Sequence, residues 1–354
     1  MVVKIRERRG RLIFEIRLGK FFRRYEWTVE PRYWRNPIIA TSIWLIMPIL
    51  LYWGSFYSLL STFVFANIVA MVVIPYSLRV IGTGRLDFGP TFFFALGGYI
   101  AAILSRDFGL APFETFFAAF GIGCIIGLAL SPITIISRGI YYTLITFILP
   151  FVLYEITYWR SDIFGAETGI PGVKPLVGVT SPTLAELYAF YLSAAIVIVL
   201  MFVIDKVLRS KYVLMMGVLN EDEDVADLYG INTKFIKVVT YTLTSGLISI
   251  AGWFTAHYYM AFTGTLYLSP EFLTLILLSA ILGGKGAVYG ALIGSYFVIG
   301  VREFARILFV EYSTLVFYVV TLSLLFLLPE GLWGLYRKRR YREYIPTIKV
   351  RRKL

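Results

Sequence analysis

The amino-acid sequence predicts an all-α polytopic membrane protein of about ten spans, with both termini cytoplasmic. Composition is the first reason: 58% of the 354 residues are hydrophobic and 16% are charged, whereas soluble domains run near 45–50% and about 25%. The second reason is the recurrence of apolar runs near the length of about 17–25 residues that a helix needs to cross a bilayer. The third is where the charge sits. Residues 1–37 hold 11 Lys/Arg against 4 Asp/Glu, and residues 329–354 hold 9 against 2, so the chain between them carries a net −2 of the formal +12. Short basic flanks stay on the cytoplasmic side, and two cytoplasmic ends require an even number of crossings.

The expected spans, in order, are Ile38–Tyr57, Ser58–Ile81, Phe88–Leu104, Pro112–Leu130, Gly139–Tyr158, Leu184–Leu208, Phe235–Phe262, Glu271–Gly283, Ala287–Phe304 and Tyr312–Leu328. The third is short and glycine-containing, and the eighth is too short to cross unaided, so either could be re-entrant. Alternation sends Arg79–Asp87, Arg138 and the charged segment Arg209–Thr233 inside. It leaves Trp159–Thr183, rich in glycine and proline, and Thr263–Pro270 outside. The organisation is therefore a basic cytoplasmic or interfacial segment at 1–37, a transmembrane domain at 38–328 and a basic cytoplasmic tail at 329–354. Val2–Tyr25 mixes apolar and basic residues and is expected to lie on the inner leaflet. The basic N-terminus lacks the apolar core of a cleavable signal peptide, so the first span is expected to act as the insertion signal. Anionic lipid at the inner leaflet accounts for basic tails without nucleic acid.

Several chemistries are excluded. One cysteine, Cys124, and one histidine, His257, allow neither an internal disulfide nor a Cys/His metal cluster. No G-x-x-x-x-G-K-[ST] loop is present, and no catalytic set suggests an enzyme, so the chain is expected to bind no cofactor of its own. His257 reads as an interfacial polar residue or, alternatively, a substrate contact. Glu155, Arg302, Glu303 and Arg306 lie near span ends, where snorkelling is cheap. Gly123-x-x-x-Gly127 and Gly290-x-x-x-Gly294 have the spacing of close helix approach, either within one chain or at a subunit interface. Glycine-interrupted short segments mark helix breaks that must line a cavity or be covered by protein. On that basis Gly84, Asp87, Gly89 and Gly97 in one half, and Gly283, Gly284, Gly286 and Gly290 in the other, are candidates for lining a translocation path; tight surface turns are the alternative.

The most informative element is LNEDEDVADLYGIN, residues 219–232, within the expected cytoplasmic segment. Asn220 is suited to cap a short helix whose first turn holds Glu221, Asp222 and Glu223, followed by Asp224. Val225, Leu228 and Tyr229 then form an apolar stripe beside Ala226, and Gly230 suits the C-terminus. Such a helix would present acids and an apolar edge to a cytoplasmic partner, or be a solvated surface helix.

This element resembles the coupling loop of the branched-chain amino-acid ABC importer permeases, R-A-x-R-D-N-E-x-A-A-x-x-x-G-I, and most nearly their second, M-type branch. Glu223, Ala226, Gly230 and Ile231 match, while Gly217 and Asn220 stand where arginines are usual. Gly84-Arg-Leu-Asp-Phe-Gly89 with Phe93-Phe94 and Gly97-Gly-Tyr99 is similar to G-x-L-S-x-G-x-x-x-F-F-x-x-G-A-Y, with Asp87 for the usual serine and Pro90 for a frequent histidine. Gly139-Ile-Tyr141, Thr168-Gly-Ile-Pro-Gly172, Leu282-Gly-Gly-Lys-Gly286 and Pro329-Glu-Gly-Leu-Trp-Gly334 resemble further family elements in the same order. The resemblance covers roughly residues 60–336. It implies a plasma-membrane permease subunit that works with a second permease, two cytoplasmic ATPase subunits carrying the ATP-Mg, and an extracytoplasmic binding protein. Branched-chain or other small amino acids are the implied substrates. A permease for urea, amides, sugars or nucleosides, and a stand-alone carrier or channel, are the alternatives.

Overall fold

The computed structural model describes residues 2–8, 11–18, 21–28, 44–54, 57–137, 139–178, 181–284, 288–328 and 331–333. The chain forms two units, Met1–Phe56 and Tyr57–Leu354. The first contains an antiparallel meander of β1 (Val2–Arg8), β2 (Arg11–Leu18) and β3 (Phe21–Thr28). Ile5 pairs with Phe14, and Phe14 with Tyr25. The meander adds paired strands to an otherwise helical chain, because a two-residue alternation of apolar and charged residues suits extended backbone. The first unit also holds α1 (Trp44–Trp53). A helix of that length covers only about 15 Å of a hydrocarbon core near 30 Å. The expected first span coincides with α1 over the described residues, while residues 38–43 and 55–56 lie outside the described part.

The second unit is helical: α2 (Tyr57–Thr83), α3 (Pro90–Asp107), α4 (Pro112–Leu130), α5 (Pro132–Ile136), α6 (Ile140–Trp159), α7 (Ser161–Phe164), α8 (Pro182–Leu208), α9 (Lys211–Glu221), α10 (Glu223–Leu228), α11 (Thr233–Tyr259), α12 (Gly264–Tyr267), α13 (Pro270–Gly283), α14 (Val288–Leu308) and α15 (Ser313–Leu327). Among the described residues, six stretches are long and apolar enough to cross a membrane: those of α2, α4–α5, α6, α8, α11 and α15. The four other expected spans fall on α1, α3, α13 and α14. Of these, α3 ends in Arg106 and Asp107, and α14 carries Arg302, Glu303 and Arg306. Proline at the first turn starts α3, α4, α8 and α13, where its missing N–H costs nothing.

At the centre stand α2 and α11, whose apolar windows are 67% buried against 19–39% in the other four. α11 packs on α2, α3 and α4; α8 and α14 flank α2. Glycine makes the closest crossings possible. A Cβ on Gly252 would sit 1.8 Å from the Phe94 carbonyl oxygen, and one on Gly97 2.0 Å from that of Ser249. Gly123 and Gly127 take the Ser245–Ser249 stretch of α11 against α4, and Gly294 takes the Ser279 carbonyl of α13. Both G-x-x-x-G motifs are therefore used within the chain.

The connections group into two ends. At one, the 84–89 loop, the end of α5, α10 and the start of α11 are joined by side-chain bonds. At the other, β4 (Ile170–Pro171) pairs antiparallel with β5 (Ala261–Phe262), which joins the 160–181 segment to the α11–α13 connection. These are the groupings that the expected alternation of spans requires. His257, at this second end, is fully buried: its Nε2 lies 2.7 Å from Thr115 Oγ1 and its Nδ1 2.7 Å from the Lys174 carbonyl oxygen. The Trp253 indole N–H donates to the Pro112 carbonyl beside them. His257 ties α4, α11 and the 172–174 segment together.

Candidate functional site: a docking corner over a buried ion pair

The acidic segment singled out by sequence folds as two helices rather than one. Ser210 caps α9, which runs on through Asn220 to Glu221. The chain then breaks at Asp222 (φ −160°), whose Oδ1 accepts from the backbone N–H groups of Asp224 and Val225 and so caps α10. The cap is thus Asp222, two residues later than Asn220, because α9 continues where the sequence suggested a loop. α10 closes as foreseen at Gly230 (φ +76°). The Gly230 N–H donates to the Asp227 carbonyl and the Ile231 N–H to that of Ala226, a Schellman closure.

The two faces of α10 differ sharply. Ala226 is fully buried against the bundle, while Leu228 is 86% exposed, Tyr229 62% and Val225 38%. The predicted apolar stripe is therefore presented outward, with Asp222, Asp224 and Asp227 exposed around it. Glu223 points the other way. Its Oε2 accepts from Arg85 Nη2 at 2.7 Å, and its Oε1 accepts from the Lys237 ammonium. Lys237 sits in the first turns of α11 with its side chain 1% exposed, so the carboxylate neutralises a cation the bundle has removed from water. Asn220 reaches the same corner: a Cβ on Gly84 would lie 2.6 Å from its Oδ1. Gly84 also holds φ +71°, so both the backbone turn and the close approach require glycine there.

Arg85 is the junction. Besides Glu223, its guanidinium donates to the Thr134 carbonyl at 3.1 Å and to the Ser137 carbonyl, both at the end of α5, and it lies over the Tyr142 ring of α6. The rest of the loop is stitched to α6 as well. Thr143 Oγ1 donates to the Leu86 carbonyl at 2.9 Å, and the Phe88 N–H donates to Thr146 Oγ1 at 3.1 Å.

Beneath this corner lies a fully buried ion pair. Arg79 Nη1 donates to Asp87 Oδ2 at 2.8 Å, and both side chains are 0% exposed. The remaining donors of Arg79 are also used: Nε to Thr244 Oγ1 at 2.9 Å and Nη2 to Ser245 Oγ at 2.7 Å. Asp87 Oδ1 accepts from the Gly89 N–H at 2.7 Å. The guanidinium is sandwiched by Phe93 and Tyr241, 4.8 and 4.3 Å from the ring centroids. Stacking of this kind and a full set of bonds are what allow such a pair to be buried. Tyr76, Tyr142 and Tyr241 bring buried hydroxyls to this region, from α2, α6 and α11, with no hydrogen-bond partner among the described residues.

Of the eight path candidates, Gly84, Asp87 and Gly89 belong to this site. Of the rest, Gly97 abuts α11, the Gly290 carbonyl fills the side of Gly283 and Gly331 packs on Gly284, while Gly286 lies outside the described residues. Sequence reasoning missed Arg79, Arg85, Lys237 and Tyr142. Arg79, the lone cation of the apolar helix α2, was the available signal.

The family model for the branched-chain amino acid transport system permease component matches residues 58–325. The chain belongs to this permease family. Among relatives, the high-affinity branched-chain amino acid transport system permease protein LivM of Escherichia coli is 24% identical over 278 residues, 71% of this chain and 64% of LivM. The corresponding protein of Salmonella typhimurium is 25% identical over the same extent. The probable branched-chain amino acid transport permease protein LivH of Methanocaldococcus jannaschii is 22% identical over 77% of this chain and 90% of its own length. The permease thus spans a little under two thirds of the LivM chains it matches. No solved structure matches it. The matched region holds the whole corner, from Arg79 to Lys237, while the N-terminal meander lies outside it.

Proposed function

We propose that this permease is the transmembrane subunit of an ATP-driven importer, and that α10 is the element by which a cytoplasmic ATPase engages it. One observation carries the reading. A short helix is held rigidly from within, by Ala226 and by Glu223 on Arg85 and Lys237, yet turns Val225, Leu228 and Tyr229 outward with acids around them. An exposed apolar edge rimmed by charge marks a protein contact. Here it sits on the end of the bundle assigned to the cytoplasm by the basic flanking segments. A cytoplasmic position for both termini rests on the basic excess of residues 1–37 and 329–354.

The family supports branched-chain or other small amino acids as cargo. Delivery by an extracytoplasmic binding protein to the β4–β5 end, and a second permease subunit completing the route, follow from the same reading. ATP is bound and hydrolysed by the partner. Closure of the ATPase pair favours one orientation of the permease over the other, a shift of population driven by ligand.

The test is a cross-link. Cys124 is the sole cysteine, so a Cys124→Ala, Leu228→Cys chain labelled with a maleimide-benzophenone, whose excited ketone inserts into C–H bonds, should photo-cross-link to its ATPase. The Leu228→Asp chain should bind the ATPase about tenfold more weakly, as expected for truncating a central apolar anchor. An unchanged affinity, with no adduct at Leu228, would remove α10 from the contact.

A further inference from the structure

Resting on that functional reading, the structure assigns Arg85 the role of positioning residue that carries displacement of α10 to α6, and makes α6 the helix that moves when the ATPase closes. Three observations lead there.

The first is the weak attachment of α6. Its buried positions form a narrow stripe, Tyr142, Thr146, Pro150, Leu153 and Thr157, in which only Leu153 is a large aliphatic side chain. In lipid, helices are held to one another by close packing at small residues and by polar contacts rather than by apolar burial, and this stripe contains no glycine at which a neighbour could approach closely. The buried Tyr142 hydroxyl has no partner among the described residues, which leaves its resting position imperfectly satisfied.

The second is the wiring. The bonds that hold the N-terminal half of α6 come from the 84–89 loop: Leu86 to Thr143, Phe88 to Thr146, and Arg85 against Tyr142. The same Arg85 grips Glu223 of α10 with one arm and the Thr134 and Ser137 carbonyls just before α6 with the other. No movement of Glu223 can leave the base of α6 where it was without breaking a bond of this one guanidinium.

The third is the hinge. Gly139 precedes α6 at φ +57° with nothing near its Cβ position, and Pro150 interrupts the helical ladder halfway along. Such positions absorb rotation. By contrast α3, also joined to the loop, is locked to α11 by glycine crossings and cannot follow. The outward face of α6 bears a shallow groove of about 440 Å³ lined by Phe151, Val152, Glu155, Ile156 and Trp159, so its displacement changes the shape of an open surface and not of the core.

The experiment uses the assembled complex in proteoliposomes. Spin labels at Val152→Cys on α6 and Val199→Cys on α8, in the Cys124→Ala background, report the α6–α8 distance by pulsed electron resonance. ATP trapping should shift that distance, and uptake should accompany it. Arg85→Gln should abolish the shift and lower uptake per ATP hydrolysed by at least about tenfold, within the range of coupling between distinct sites. Arg85→Lys keeps the charge opposite Glu223 but cannot reach both partners, so it should fold and bind the ATPase yet lose most of the shift. A wild-type distance indifferent to ATP while uptake proceeds overturns the inference, as does a full shift in both Arg85 variants. A wild-type complex that hydrolyses ATP without uptake of any amino acid overturns the functional reading beneath it.

Discussion

Glu223→Lys is expected to abolish ATP-coupled uptake, with a loss of about 100-fold or more. In the native corner one carboxylate neutralises Arg85 and Lys237 together. The substitution replaces it with a third cation beside a lysine whose side chain is 1% exposed. Breaking a buried pair by removing one partner costs about 3–5 kcal/mol, and Glu223, at 20% exposure, will feel the lower end. About 3 kcal/mol corresponds to roughly a 100-fold change in an equilibrium. The affected equilibrium is the seating of α10, not the packing of the bundle, since Ala226 and the glycine crossings are untouched. Membrane insertion and thermal stability should therefore change little, and uptake by reconstituted complex should fall to background while residual ATP hydrolysis continues. Glu223→Gln, which removes the charge without adding a cation, should lie between. Wild-type uptake in both variants would mean that α10 need not be latched for coupling.

Asp87→Ala is expected to act on the fold itself. The change strips the only carboxylate bonded to Arg79 among the described residues, leaving a guanidinium at 0% exposure held by two hydroxyls, a weak contact to the Tyr241 carbonyl and two ring faces. The same estimate of about 3–5 kcal/mol applies in full here, because neither partner reaches solvent. That is a large share of the stability of a typical folded domain. The protein should show a lowered melting temperature in detergent and reduced yield. A companion chain carrying both Arg79→Met and Asp87→Leu should recover most of the stability, since exchanging a buried pair for apolar residues of similar volume is often neutral. A single Asp87→Ala chain as stable as wild type would mean that the pair contributes nothing to holding α2, α3 and α11 together.

Much of the helical layout was legible in the chain. α4 runs Pro112–Leu130 as read, because proline opens it and Ser131-Pro132 closes it. The ends of α8 and α13 at Leu208 and Gly283 coincide likewise. The closing glycine of α10 was readable because a positive φ has few other occupants. The direction of Glu223 was not. On an isolated helix all three leading acids look alike, and only the position of Lys237, fourteen residues on, and of Arg85, in another connection, decides which one turns inward. The Arg79–Asp87 pair was hidden for a related reason: the seven residues between them fold back through the left-handed turn at Gly84, a reversal that neither helical nor strand periodicity reveals. The role of the path glycines is harder to read because one composition serves both broken helices and close crossings; at Gly97 and Gly252 the carbonyls of Ser249 and Phe94 lie where a Cβ would be. The N-terminal meander escaped because basic residues at alternate positions read equally as a charged membrane flank.

The central claim is that this permease moves its cargo only when a separate ATPase drives it. The most direct measurement is uptake of labelled leucine into proteoliposomes that contain the chain with its partner permease, with and without the ATPase subunits, binding protein and ATP. The account predicts accumulation only when all are present. Accumulation by the permease alone, at the rate of the complete system, would contradict it.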